Sequence, residues 1–281
     1  MIRAILLDID GTLASVDGSI TPRTKEALLR AQDAGIRLVL ASGRADQGLY
    51  RWADELHMRE HDGLFLCYNG AKFMHCATKE IYFQQTIPAD LARAVLHHIR
   101  SYEVHAIIAR YEYMYTDDVF AGMIHRSIDG PMFNVIAYEA RSNGFLLCEK
   151  RDMAAFVDFP VEKILTFGEP AWLEKHWEEL CAPFADTLSS MFTAPFYYEY
   201  TAKDVDKGRT LETVFAKLGY AREELMAFGD AQNDLSMLKY AGLGIAMGNA
   251  AEEVKKAADA VTLSNNEDGI AAALEKYLML T

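Results

Sequence analysis

The stretch Ile2-Arg3-Ala4-Ile5-Leu6-Leu7-Asp8-Ile9-Asp10-Gly11-Thr12 decides the fold. A near-continuous apolar run that stops at acidic residues and an Asp-Gly pair predicts a strand buried on both faces, as in a parallel sheet, not an alternating edge strand. Asp8 and Asp10 then stand at its carboxyl end. A turn accounts for Asp10-Gly11. It does not account for Asp8, which lies within the apolar run with no cap or turn to serve, where an unpaired carboxylate is costly. Two carboxylates two residues apart on a strand point the same way, repel each other and favour a divalent cation between them.

Working outward, residues 22–34 carry Ala27, Leu28 and Ala31 at helical spacing, opened by Thr21-Pro22 and closed by Gly35, the expected start and stop signals. Residues 36–41 form a second apolar strand. Strand, helix, strand implies a right-handed crossover, with both strand ends on one edge of a parallel sheet, so the loop Ser42-Gly43-Arg44 lies near Asp8. Residues 64–68 predict a third strand stopped by Asn69-Gly70, and 71–84 a hairpin or excursion. From about 87 to 201 the rhythm changes to helices (89–100, 170–181) among strands (105–109, 112–115, 164–167, 187–192, 196–200), with a further helical segment between. After Lys207-Gly208 the α/β alternation resumes, with strands at 224–228, 244–247 and 260–262. The expected architecture is α/β: a Rossmann-like parallel-sheet core from residues 1–84 and 203–281, with an inserted α+β cap at 85–202.

The chain has 281 residues, 51% hydrophobic and 25% charged, ordinary for a soluble globular protein. No run approaches the roughly 20 apolar residues a membrane span requires. The first apolar run meets Asp8 too soon for the central region of a signal peptide, so the expected compartment is the cytosol. Cys67, Cys76, Cys148 and Cys181 form no Cys-x-x-Cys pair and are read as reduced, mostly buried thiols. A formal charge of -13 argues against a nucleic-acid binder. It is also the wrong sign for a phosphate-handling protein, unless a cation is recruited locally or the acids lie elsewhere.

Four clusters fall at strand ends or helix starts on the sheet edge where open α/β folds bind ligands: Asp8 with Asp10, Ser42, Lys207, and Asp230 with Asp234. Asp230 and Asp234 stand one turn apart, and helix capping also explains the first of them. Beside Asp8 and Asp10 the pair completes an oxygen-only site suited to magnesium. Ser42-Gly43-Arg44 presents a hydroxyl and backbone amides at the start of a helix, where an anion binds. Lys207 alone also fits a solvated loop lysine, but a cation near three carboxylates is what a phosphate site needs.

These segments, in this order, resemble the four motifs of the haloacid dehalogenase superfamily, specifically its Cof-type phosphatases with an α+β cap of the C2B type. The resemblance spans the chain and includes Asn69-Gly70-Ala71, Ala246-Met247-Gly248-Asn249-Ala250 and Asp268-Gly269. It implies that Asp8 is the nucleophile, forming a labile acyl phosphate. Asp10 is implied as general acid and then base, with its backbone carbonyl on the metal. The resemblance further implies that Asp8, Asp10 and Asp230 hold one magnesium ion and that Asp234 acts through water or Lys207. It likewise implies that Ser42 and the Gly43 amide bind phosphate, with Lys207 and Asn233 adding donors, and that Thr12 orients the loop. The substrate is then a small phosphorylated metabolite, selected by the cap. The turn before Lys207 departs from the family's small, Gly-containing form by carrying Asp204.

The alternative on the same scaffold is a phosphomutase, since Asp8 and Asp10 serve transfer to a sugar hydroxyl as well as to water. A phospho-accepting signalling module has no use for Asp10 or for a cap of more than about 100 residues, near the size of a domain. Dehalogenation needs neither magnesium nor an acid at position 10.

Overall fold

The structure, a computed structural model, describes residues 1–278. Its strands in chain order are β1 (Ala4–Leu7), β2 (Arg37–Ala41), β3 (Leu64–Cys67), β4 (Lys72–His75), β5 (Ile81–Gln84), β6 (Val104–Arg110), β7 (Tyr113–Thr116), β8 (Met123–His125), β9 (Met132–Asn134), β10 (Leu146–Glu149), β11 (Lys163–Gly168), β12 (Leu188–Ala194), β13 (Tyr197–Ala202), β14 (Leu225–Gly229), β15 (Leu243–Ala246) and β16 (Ala260–Val261). The chain divides into two compact units. One is Met1–Gln84 with the chain from Asp206 onward; the other is Gln85–Val205.

The first unit is built on an eight-stranded sheet in the order β16-β15-β14-β1-β2-β3-β4-β5. From β16 to β3 every neighbouring pair is parallel, and β4 and β5 add an antiparallel edge. The central strands β1 and β14 are buried at every position, which is why their sequences are continuous apolar runs and not alternating ones. Connections with helices, such as Pro22–Asp33 between β1 and β2, aim the strands one way. Asp8, Ser42 and Asp230, each the residue directly after its strand, therefore share the carboxyl edge.

The second unit holds a six-stranded mixed sheet, β10-β7-β6-β11-β13-β12, and a separate β8-β9 hairpin. Ala92, Val95, Leu96 and Ile99 of the Ala89–Ile99 helix, with Leu173 and Leu180 of the Pro170–Cys181 helix, pack with Ile108, Ile164, Tyr198 and Tyr200. Ile107, Leu165, Phe167 and Tyr197, one residue out of step in the strands, form a second cluster with Ile124, Val135 and Ile136. Period-two alternation puts the two sets on opposite faces of the sheet.

Cys67 and Cys76 are buried and Cys148 and Cys181 partly so. Among the described residues no helix is long and apolar enough to cross a membrane. The β8-β9 hairpin and β10 lie where sequence predicted only a helix, which occupies Val135–Asn143.

Candidate active site

Lys207 is the centre of the constellation. It is the first residue of the Lys207–Lys217 helix, whose start is fixed by Asp206, the side chain of which accepts from the Arg209 amide at 2.9 Å. The helix start is packed closely: a side chain at Gly70, whose φ is +110°, would collide with the Asp206 carbonyl, and one at Gly208 with that of Ser236. Lys207 is 1% exposed. Its ammonium donates to Asp8 Oδ1 at 2.8 Å, Asp234 Oδ1 at 2.7 Å and the Ala41 carbonyl at 2.8 Å, using all three protons an ammonium has. Burial works against its charge, but Asp234 and Asp8 outweigh it and hold Lys207 above its ordinary value.

Asp8 is buried, and its carboxyl is raised well above the usual range by that burial first and by repulsion from Asp234 next, against which Lys207 pulls down. Asp230, half-buried, is pushed up to about 6, mainly by burial; the Thr12 hydroxyl, donating to its Oδ1 at 2.8 Å, opposes this and Asp234 adds to it. Oxygens of Asp8, Asp230 and Asp234 all lie within 4.8 Å of one another. One ammonium thus faces three carboxylates, and the surplus negative charge with an all-oxygen donor set fits a hard divalent cation such as magnesium.

Asp234 differs from the other two. While its Oδ1 is on Lys207, its Oδ2 accepts from the amides of Asp230 at 3.0 Å and Ala231 at 3.1 Å. Both oxygens are engaged, so it positions Lys207 and the Asp230 loop. This reverses the capping expected from sequence. Asp230 heads no helix; the first helical turn is Gln232–Asp234, preceded by Ala231, and Asp234 caps it by reaching back.

The Asp10 carboxylate does not join the cluster. Arg44 binds it in a fork, Nε to Oδ2 at 2.8 Å and Nη2 to Oδ1 at 2.7 Å, the bidentate geometry that guanidinium and carboxylate favour. The carboxylate that sequence grouped with Asp8 thus stands apart from the acidic cluster. Arg44 received no role from sequence.

Ser42 also departs from expectation. Helical structure begins only at Asp46–Leu49; residues 42–45 are instead a turn pinned by the Arg44 amide on Ser42 Oγ at 3.2 Å and the Asn69 amide on the Ser42 carbonyl at 3.1 Å. The Ser42 hydroxyl is held as an acceptor on one side, so its proton points elsewhere. Asn69 adopts φ 56°, a left-handed backbone that Asn tolerates. Its side chain accepts from Asn233 Nδ2 at 3.0 Å and lies against Gly43. Asn69 therefore ties the Ser42-Gly43 turn to Asn233, a bridge not foreseen from sequence, where Asn69-Gly70-Ala71 served as a strand stop and as part of the resemblance.

The remaining motif stretches brace the loop after β1. Asn249 donates to the Gly11 carbonyl at 2.8 Å, Asn265 to the Ala14 carbonyl at 2.7 Å, and Thr21 to Asp268 at 2.5 Å. Gly11 has φ +88°, and a side chain there would strike the Asp230 carboxylate. Asp204, the departure from the family turn, takes φ 59°, a conformation that Asp adopts more readily than most residues.

A buried carboxylate, a buried lysine and an acidic loop on the carboxyl edge of a parallel sheet are the setting of a phosphoryl-transfer class of site. A family profile of haloacid dehalogenase-like hydrolases matches residues 5–274, and the chain belongs to that family, as a hydrolase of its phosphatase type. A haloacid dehalogenase-like hydrolase from Bacteroides thetaiotaomicron has 34% identity and a TM-score of 0.90, covering 98% of this chain and 99% of that one. The subclass IIB sugar phosphatase BT4131 has 27% identity and a TM-score of 0.77 over 99% and 100% of the two chains. The pyridoxal phosphate phosphatase YbhA of Escherichia coli is 27% identical over 99% of each chain.

Proposed function

We propose that the protein is a magnesium-dependent phosphatase that transfers the phosphoryl group of a small metabolite, a sugar phosphate or a phosphorylated cofactor, to Asp8 and then hydrolyses the aspartyl phosphate. The observation that carries this reading is the setting of Asp8: buried, with one oxygen fixed on Lys207 and two more carboxylates within ion-binding distance.

Asp8, Asp230 and the Asp10 carbonyl would hold the magnesium, which when bound screens the carboxylates from the phosphate dianion and offsets charge on the transferring group. Lys207 fixes the rotation of Asp8 so that its other oxygen attacks phosphorus. The Asp8 oxygen–phosphorus bond forms as the bond to the leaving oxygen breaks, and Asp10 gives that oxygen its proton. Water then attacks phosphorus, Asp10 takes the water's proton, and Asp8 leaves as carboxylate with inorganic phosphate released. The Ser42 hydroxyl and Asn233 hydrogen-bond the phosphoryl oxygens. For Asp10 to act it must release Arg44, so this fork marks a resting arrangement. The inserted unit selects the leaving group, which accords with relatives of like length acting on chemically different phosphates.

Phosphate release from a panel of sugar phosphates, pyridoxal phosphate and flavin mononucleotide is the test, run with magnesium and with chelator. Release confined to the magnesium arm is expected. Equal release with chelator would sink the metal's role; no release, but phosphoryl exchange between sugar hydroxyls given a bisphosphorylated activator, would point to the mutase.

Raised carboxyls make protons and metal compete. With Asp230 at about 6 and Asp8 also raised, magnesium affinity should weaken on acidification below about pH 6, by about tenfold per unit for each proton displaced. Calorimetry in two buffers of different ionisation enthalpy should show proton release on binding. A flat affinity between pH 8 and 5 would contradict it.

A further inference from the structure

We infer that the end of the core sheet opposite Asp8 carries a second binding site, for a small oxyanion, built around Arg37 and Arg3. Arg3 precedes β1, whose far end leads into Asp8, and Arg37 opens β2; the Arg37 amide donates to the Arg3 carbonyl at 3.0 Å, and both residues line one cavity. Between them and Gln32, His61, Asp62 and Tyr220 lies a cavity of about 260 Å³. This is just below the roughly 300–1,000 Å³ of sites for drug-sized ligands, so it suits one small metabolite and not a dinucleotide.

The state of Arg37 carries the argument. Its side chain is only 27% exposed, and its nearest acid, Asp62, stands at 3.6 Å, beyond hydrogen-bond reach. Among the described residues it makes no side-chain hydrogen bond. A guanidinium presents five donors in a rigid fork that matches the two oxygens of a phosphate or carboxylate, and a single ion pair at 3.6 Å to the exposed Asp62 leaves that fork open to one. Arg3 is prepared differently: Nη1 is anchored to Glu224 at 2.9 Å and the Gly219 carbonyl at 3.1 Å, and the guanidinium lies 4.3 Å over the Tyr220 ring. Its Nε and Nη2 remain for a ligand.

The acids nearby are Asp62 and Asp33, 70% and 76% exposed, and Glu224. Solvent screens the two exposed ones more than it does the partly buried Arg37, so the cavity favours an anion even in an acidic protein. Gln32 adds specificity. It is 3% exposed, its Nε2 is spent on the Leu56 carbonyl at 2.7 Å, and its Oε1 has no partner. Gln32 lines the cavity, so a hydroxyl or amide donor beside the anion would offer that oxygen the partner it lacks. The ligand class is therefore a small phosphate- or carboxylate-bearing metabolite with a donor beside the anion.

Inorganic phosphate and succinate, in separate arms without magnesium, would be titrated calorimetrically into the full chain, Arg37→Ala and Ser42→Ala. The expected result is binding that Arg37→Ala weakens by at least about tenfold, the scale of a lost charge-assisted fork, and that Ser42→Ala retains. Retention of phosphate alone assigns a phosphate ester; retention of succinate assigns a carboxylate. Equal binding by wild type and Arg37→Ala for both anions, or loss only in Ser42→Ala, would overturn the inference without touching the phosphatase reading. Should Arg37→Ala not fold, Arg37→Lys keeps the charge without the fork and should weaken binding about fivefold; unchanged affinity there has the same overturning meaning.

Discussion

Lys207→Met is expected to cost the core about 3–5 kcal/mol of stability, the range seen when one partner of a buried ion pair is removed, and to reduce phosphate release to background. The reason is arithmetic of charge. The ammonium is the counter-ion of both Asp8 and Asp234, and methionine fills much of the space with nothing to pair them. The Ala41 carbonyl loses its donor as well. Urea unfolding followed by circular dichroism measures the loss. A double variant, Lys207→Met with Asp234→Asn, separates charge from packing: removing one orphaned carboxylate should recover part of the stability, a coupling a packing defect would not show. A single variant as stable as wild type would mean that the lysine does not hold the carboxylates.

The frame of the molecule was legible because burial on both faces leaves a plain mark. Leu6 and Leu7 are fully buried in β1, and only a continuous apolar run survives there, so the acid that interrupts it at position 8 stands out. Pairings made by the fold itself left no such mark. Arg44 and Asp10 are 34 residues apart and meet only once two loops share an edge. Asp230 and Asp234 are spaced so that either one caps the turn, and the sequence alone does not say which; the structure gives the task to Asp234 because its other oxygen is drawn to Lys207. In the inserted unit β8 and β9 have three residues each, too few for alternation to register. β10 begins with two exposed leucines in succession, which breaks the period-two pattern that marks a half-buried strand.

Asp8→Asn should abolish turnover, by at least about 10³-fold as expected when a nucleophile is removed, and yet raise the stability of the metal-free protein at neutral pH. Its folded-state carboxyl is raised, so between the unfolded value and the folded one the native state binds more protons than the unfolded state. Stability then falls as pH rises through that window, and the penalty is complete above the folded value. Asparagine has no proton to lose. The variant's advantage should be absent in acid, grow as pH rises through the window, and stay level beyond it. Magnesium should shrink the difference by stabilising the ionised wild-type site, since a ligand that binds only the native state adds to its stability. Denaturation midpoints of both proteins across pH, with and without magnesium, read all of this. An asparagine variant less stable than wild type at neutral pH without metal would mean that the bond to Lys207 outweighs burial and the repulsion of Asp234. The site would then be a satisfied ion pair, not one held short of a cation.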